Sequence, residues 1–116
     1  MDCIFCSIAQ KKIPAQVVFE DERFVAFKDI NPKAPIHILI VPKTHITSVN
    51  DLTSAHQALV GDMILLAQKL AAELHTSEGY KLCFNVGRKG GQIIDHLHLH
   101  LLGGWHHTGE SSASHV

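Results

Sequence analysis

The hydrophobic positions along the chain change period several times, and each change marks an element. In residues 96–102, HLHLHLL, leucines alternate with histidines at every second position. A β-strand sends successive side chains to opposite faces. Leu97, Leu99 and Leu101 then face a core, and His96, His98 and His100 share the other side. Wound as a helix, the same histidines would scatter around the axis. Residues 16–19 and 23–28 are two further strand-like runs, joined by Glu20-Asp21-Glu22 as a hairpin turn that lacks the favoured glycine. In the second run Val25, Phe27 and Asp29 alternate onto one face. Asn31-Pro32-Lys33-Ala34-Pro35 is a rigid loop, because each proline fixes its own φ and restricts its predecessor. Residues 37–41, HILIV, are apolar on both faces except for His37, the pattern of a central strand.

From Ser54 the period lengthens to three and four. Leu59, Met63, Leu66, Leu70 and Leu74 make an apolar stripe, and Ser54-Ala55-His56-Gln57 has capping-box spacing. One long helix to about His75 is predicted. Glu78-Gly79 then turns the chain into a strand over residues 80–86, with Leu82, Phe84 and Val86 on one face and Lys81, Cys83 and Asn85 on the other. A glycine-rich loop, residues 87–91, feeds the histidine strand. Residues 3–10 predict a short helical segment with Cys3 and Cys6 on one side of a turn. The fold class is α+β: an antiparallel sheet of about five strands with one long helix on one face. Residues 1–104 form the domain, and the polar, serine-rich residues 105–116 a flexible tail.

Composition narrows the partners. The chain has 116 residues, 46% hydrophobic and 18% charged, the size and balance of one globular domain. Net charge is −1 and no basic run reaches five, so a nucleic-acid polymer is not the expected partner. Met1-Asp2-Cys3 carries no basic and apolar leader pattern, and no apolar run approaches a membrane span. Both features predict a cytoplasmic protein with no membrane partner. Three cysteines, an odd number, argue against a disulfide framework.

The unusual number is ten histidines. Adjacent imidazoles repel when protonated, so the row should be mostly neutral at pH 7. A neutral imidazole acts as nucleophile, general base or metal ligand. Two roles compete: a catalytic metal site chelated by alternating histidines, or attack on phosphorus by the central His98. Loop 87–91 favours the second, since glycines let backbone N–H groups approach phosphate oxygens; a flexible turn accounts for those glycines equally well. Cys3-x-x-Cys6 lacks the strand–helix context of a redox pair. A zinc site needs four S/N ligands, for which His45 is an obvious third. Two unmetallated thiols are the alternative.

His96-Leu97-His98-Leu99-His100-Leu101-Leu102 resembles the histidine-triad (HIT) motif, and the following Gly103-Gly104 resembles its Hint branch, the purine nucleoside phosphoramidases. Ile13-Pro14, Ala26-Phe27, Asp29-Ile30, Ala34-Pro35, His37, Val41-Pro42-Lys43, Gly79-Tyr80, Asn85 and Gly90-Gly91-Gln92 extend the likeness over residues 3–104. The resemblance implies a homodimer whose two sheets join, with a purine nucleoside monophosphate above each triad. It implies that His98 forms a nucleotidyl–histidine intermediate, that His100 contacts the phosphate and helps the leaving amine, and that His37 supports the imidazoles. Asp29 would bind the ribose hydroxyls; Phe5, Ile8, Ile13, Phe27, Ile30 and Leu39 would wall base and sugar. Asn85 and the Gly91-Gln92 backbone would face the phosphate.

The chain is also similar to a bacterial subset in which Cys3, Cys6, His45 and His96 would hold a structural zinc. No organic cofactor is implied, and catalysis would not depend on the metal. Three departures stand out. Ile93 replaces a serine or other polar residue, which removes a hydrogen bond to phosphate or leaving group. Asp95 replaces a common aromatic, and the tail is unlike the Hint C-terminus. Dinucleoside polyphosphate hydrolysis, or a nucleotide-binding adaptor with residual catalysis, are the alternatives.

Overall fold

A computed structural model describes residues 3–113. The leader reading at Met1-Asp2 and the last three tail residues lie outside the described residues. Five strands, β1 (Val17–Glu20), β2 (Phe24–Lys28), β3 (Ile36–Pro42), β4 (Tyr80–Cys83) and β5 (Leu99–Gly103), form one sheet in the order β1-β2-β3-β5-β4. Every neighbouring pair is antiparallel, and β3 is central as its two-sided apolar pattern requires. A short helix, α1 (Ile4–Ala9), covers one face, and the long α2 (Gln57–Glu73) serves the other. Among the described residues no helix is long and apolar enough to cross a membrane.

The alternation sorts two cores. Phe24, Ala26, Ile38, Ile40, Leu97, Leu99 and Leu101 pack under Met63, Leu66 and Leu70 of α2. Val25, Phe27, Leu39 and Val41 turn to the opposite face, where Cys3 and Phe5 of the N-terminal segment cover them. Burying each large apolar side chain contributes roughly 1.5–3 kcal/mol. The hairpin turn dispenses with glycine because the Asp21 carboxylate accepts from the N–H groups of Arg23 and Phe24 at 2.8 and 2.7 Å.

Three boundaries differ from the sequence reading. The long helix is capped one residue earlier, at Thr53. Its side chain accepts from Ala55 N–H while His56 Nδ1 accepts from Thr53 N–H, and a single 3₁₀ turn (Ser54–His56) leads into α2. β4 ends at Cys83 rather than residue 86, because β5 offers it no partner beyond His100. The histidine strand begins only at Leu99. Pro42, which continues β3 opposite this stretch, has no N–H to extend the ladder. Residues 96–98 lie outside the ladder and bond elsewhere: Leu97 N–H donates to Ile46 C=O at 2.6 Å.

Gly103 and Gly104 have a packing cause. A Cβ on Gly103 would lie 2.5 Å from Thr76 Oγ1, the hydroxyl that accepts from Gly104 N–H. The segment after them turns back along β4, where Lys81 Nζ donates to Ser111 C=O at 3.1 Å.

Candidate active site and candidate metal centre

The face opposite α2 carries four buried histidines whose partners assign their protons. Lys33 N–H donates to His37 Nδ1 at 3.0 Å, so the proton of a neutral His37 sits on Nε2. That Nε2–H points at His100 Nδ1, 2.9 Å away, with Asp29 Oδ2 at 3.5 Å on its flank. His100 must accept there, which places its own proton on Nε2. A carbonyl oxygen only accepts. His98 Nδ1, 2.7 Å from His96 C=O, is therefore the protonated nitrogen of that ring, and its Nε2 is a bare lone pair. The His98 and His100 ring centroids are 4.9 Å apart. One face thus presents a nucleophilic nitrogen beside a hydrogen-bond donor.

His96 belongs to a different set. Its Nε2–H donates to Pro42 C=O at 2.7 Å, leaving Nδ1 to face Cys3 Sγ at 3.2 Å and Cys6 Sγ at 3.5 Å. His45 Nδ1 lies 3.3 Å from Cys6 Sγ, and the four ligand atoms all fall within 4.8 Å of one another. Tetrahedral zinc with bonds of about 2.3 Å to sulfur and about 2.0–2.1 Å to nitrogen has ligand–ligand edges of about 3.3–3.8 Å. The donor set and its spacing fit such an ion, and the Pro42 carbonyl is the outer partner that fixes the His96 tautomer. Asp29, His37 and His100 also cluster. An ion among them would need His37 Nε2 bare, and that nitrogen carries the proton once Lys33 has taken Nδ1.

Burial holds the imidazoles neutral. It pushes His37, His96 and His98 below the ordinary histidine value of 6.5, outweighing the backbone hydrogen bonds and the Asp29 charge that pull some of them back. His100 is lowered to about 3, by burial first and then by His98, His37 and Lys33. Burial raises the Cys6 thiol, with Cys3 adding to it. Between pH 3 and 6.5 the unfolded chain therefore binds protons at His100 that the folded one refuses. Stability is present above pH 6.5 and falls with acidification through that window, by up to ~1.4 kcal/mol per pH unit for each such group. Denaturant midpoints measured from pH 7 to 4 check this; a flat profile contradicts buried neutral histidines.

The remaining sequence candidates are placed unevenly. Phe27 pairs with Leu39, and Leu39 with His100, in neighbouring register positions of the sheet. Phe5 is 6% exposed, with its ring edge-on to Phe27 and His98. Ile8 is half-buried against the same core, while Ile13 and Ile30 are exposed, Ile30 by 90%. Asn85 Nδ2 donates to Gly90 C=O at 2.9 Å. The amides of Gly90, Gly91 and Gln92 donate to the carbonyls of Gly87 and Arg88, so these three bond within the loop. Gly91 has φ +91°, and a Cβ there would press on Asn85 Nδ2 at 3.3 Å. The Gln92 side chain is buried, donating to Thr47 and Ile94 carbonyls and accepting from Gly87 N–H. Ile93 beside it is 78% exposed.

Three contributors carry no sequence signal of their own: the Lys33 amide and the Pro42 and His96 carbonyls, backbone groups that set histidine tautomers. Asp95, noted only as a departure, makes a two-pronged ion pair with Arg88 at 2.8 and 3.0 Å across the glycine loop.

The family model described as scavenger mRNA decapping enzyme C-term binding matches residues 2–115. The backbone is similar to that of a HIT family hydrolase from Legionella pneumophila Philadelphia 1, with TM-score 0.90 and 50% identity over 94% of this chain and 98% of that one. The chain belongs to the histidine-triad (HIT) superfamily. This HIT protein is 44% identical to the purine nucleoside phosphoramidase of Escherichia coli (strain K12) over 104 residues, 89% of this chain and 87% of that protein. A Zn-bound histidine triad family protein from Mycobacterium smegmatis is similar at TM-score 0.81 and 32% identity, over 94% of this chain and 79% of that one.

Proposed function

We propose that this HIT protein is a purine nucleoside phosphoramidase, a nucleotide hydrolase or transferase that cleaves the P–N bond of adenosine or guanosine 5′-phosphoramidates. The observation that carries the reading is the tautomer pattern. His98 presents a bare Nε2 while its Nδ1–H is held by the His96 carbonyl, and His100 presents an N–H beside it. His98 Nε2 forms a bond to phosphorus as the P–N bond breaks, and water then attacks the nucleotidyl–histidine and releases the nucleoside monophosphate. Splitting the displacement in two lowers each barrier. His100 Nε2–H steadies the phosphoryl oxygens and faces the departing amine, and His37 holds His100 in that tautomer.

In this reading Asp29 takes the ribose hydroxyls. Phe5, Ile8, Phe27 and Leu39 form the floor of the nucleoside site, and Ile13 and Ile30 close over it. Asn85 and the Gly91-Gln92 turn flank the phosphate. Cys3, Cys6, His45 and His96 hold a structural zinc that ties the N-terminus to the sheet and leaves no coordination position open. Two copies join through an edge strand of the sheet, β1 or β4. The three thiols are unbridged, the state a reducing cytoplasm maintains.

The test is turnover of adenosine 5′-phosphoramidate in parallel with a diadenosine polyphosphate. Faster release of AMP from the phosphoramidate is expected. The reverse order would favour the polyphosphate hydrolase, and tight binding with no turnover of either would favour the adaptor.

A further inference from the structure

We infer that Phe5 is a positioning residue for His98, and that the Cys/Cys/His/His clip acts on the catalytic histidine through it. The inference rests on the phosphoramidase reading for its kinetic arm and on geometry alone for its spectroscopic arm.

Phe5 lies between the two cysteines, two residues after Cys3 and one before Cys6. Its ring is 6% exposed and stands edge-on to Phe27, His96 and His98, with centroid distances of 5.4, 6.0 and 5.1 Å. His98 is held by one hydrogen bond, Nδ1–H to the His96 carbonyl. A single bond fixes one ring atom and leaves the plane free to tilt, so the ring needs walls. One wall is His100, itself tethered to His37. The other is Phe5, which has no polar atom and is only as firm as α1.

That helix has six residues, too few to hold itself in water. Its start is fastened by Cys3, whose sulfur caps Cys6 N–H and meets His96 Nδ1, and its third residue, Cys6, is set against His45. Closing those four ligands on one ion clamps α1 at both sides of Phe5. His96 gives a second route, since one residue supplies a ligand nitrogen and the carbonyl that holds His98. Loosening the clip therefore misaims the nucleophile. The ribose partner Asp29 follows the end of β2 beside His37 and has no contact with the clip. An error of about 1 Å in a reacting group costs up to about a hundredfold.

The test compares wild type, Phe5→Leu, Cys6→Ser and the double variant, all prepared with the same zinc supplement, with chelated wild type alongside. Phe5→Leu should lower kcat about tenfold or more, a larger change than the rise in KM that follows from losing part of the nucleoside floor. Cys6→Ser should lower kcat in the wild-type background and add little in the Phe5→Leu background, the coupling expected of residues on one route. Spectra of ¹⁵N-histidine-labelled protein should show one sharp Nδ1–H form of His98 when loaded, broadened on chelation and in Phe5→Leu.

Unchanged kcat in a folded but less stable Phe5→Leu would overturn the inference, and so would strictly additive losses. If Phe5→Leu does not fold, a His98 signal indifferent to chelation overturns it instead. Should wild type turn over no phosphoramidate, the function reading fails while the spectra still judge the positioning role.

Discussion

Replacing His98 by alanine is expected to lower kcat/KM on an adenosine phosphoramidate by at least about a thousandfold, the scale of losing a covalent nucleophile. The magnitude follows from the absence of a substitute. His100 carries its proton on Nε2 and turns its lone pair to His37; His37 is bonded at both nitrogens; His96 donates to Pro42 and faces the cysteines. None of them can attack phosphorus without abandoning a partner. His100→Ala and His37→Ala should cost less, because each removes stabilisation or orientation and leaves the attacking nitrogen in place. Stopped assays with matched melting curves separate these effects. A His98→Ala variant that retains more than about a tenth of the wild-type rate would place the nucleophile elsewhere.

Metal removal is expected to have the second largest effect, on stability more than on chemistry. The described residues of the N-terminal segment are held to the sheet by the Phe5 packing and would be held by the four ligands closing on an ion; chelation leaves a buried Cys3 thiol and a half-buried Cys6 thiol whose proton burial favours. A ligand present at a hundred to a thousand times its dissociation constant stabilises by about 3–4 kcal/mol. At roughly 4 °C per kcal/mol, chelation should lower the melting temperature by about 10 °C or more. Cys3→Ser and His45→Ala should reproduce the loss, and elemental analysis should find one zinc per chain. Turnover should fall in part, through the Phe5 contact. Abolished turnover in a protein that melts unchanged would instead make the metal the catalyst.

Alternation carried most of what the sequence could tell. Leucines and histidines at every second position assign both faces of residues 96–102 even where no ladder forms: Leu97, Leu99 and Leu101 all reach the core under α2. The start of the ladder was not legible, because it is decided by Pro42 on another strand. The same limit applies to the helix cap. Ser54 and Gln57 have suitable spacing, but Thr53 wins because His56 reaches back to its amide. Spacing also marks Cys3 and Cys6 as neighbours. That His96 turns its Nδ1 to them, and that His98 keeps its lone pair on Nε2, depends on backbone carbonyls at Pro42 and His96 that no side-chain pattern records. The glycine loop was the least legible part. Its composition suggests a phosphate cradle, whereas the amides of residues 90–92 bond within the loop and the Gln92 side chain staples it to Thr47 and Ile94.

The most direct measurement is mass spectrometry of the protein quenched with acid-free denaturant during turnover of adenosine 5′-phosphoramidate. An adenylyl group carried by the peptide containing His98, absent from His98→Ala, is the predicted result. Turnover with no adduct, or an adduct on another histidine, would contradict the account.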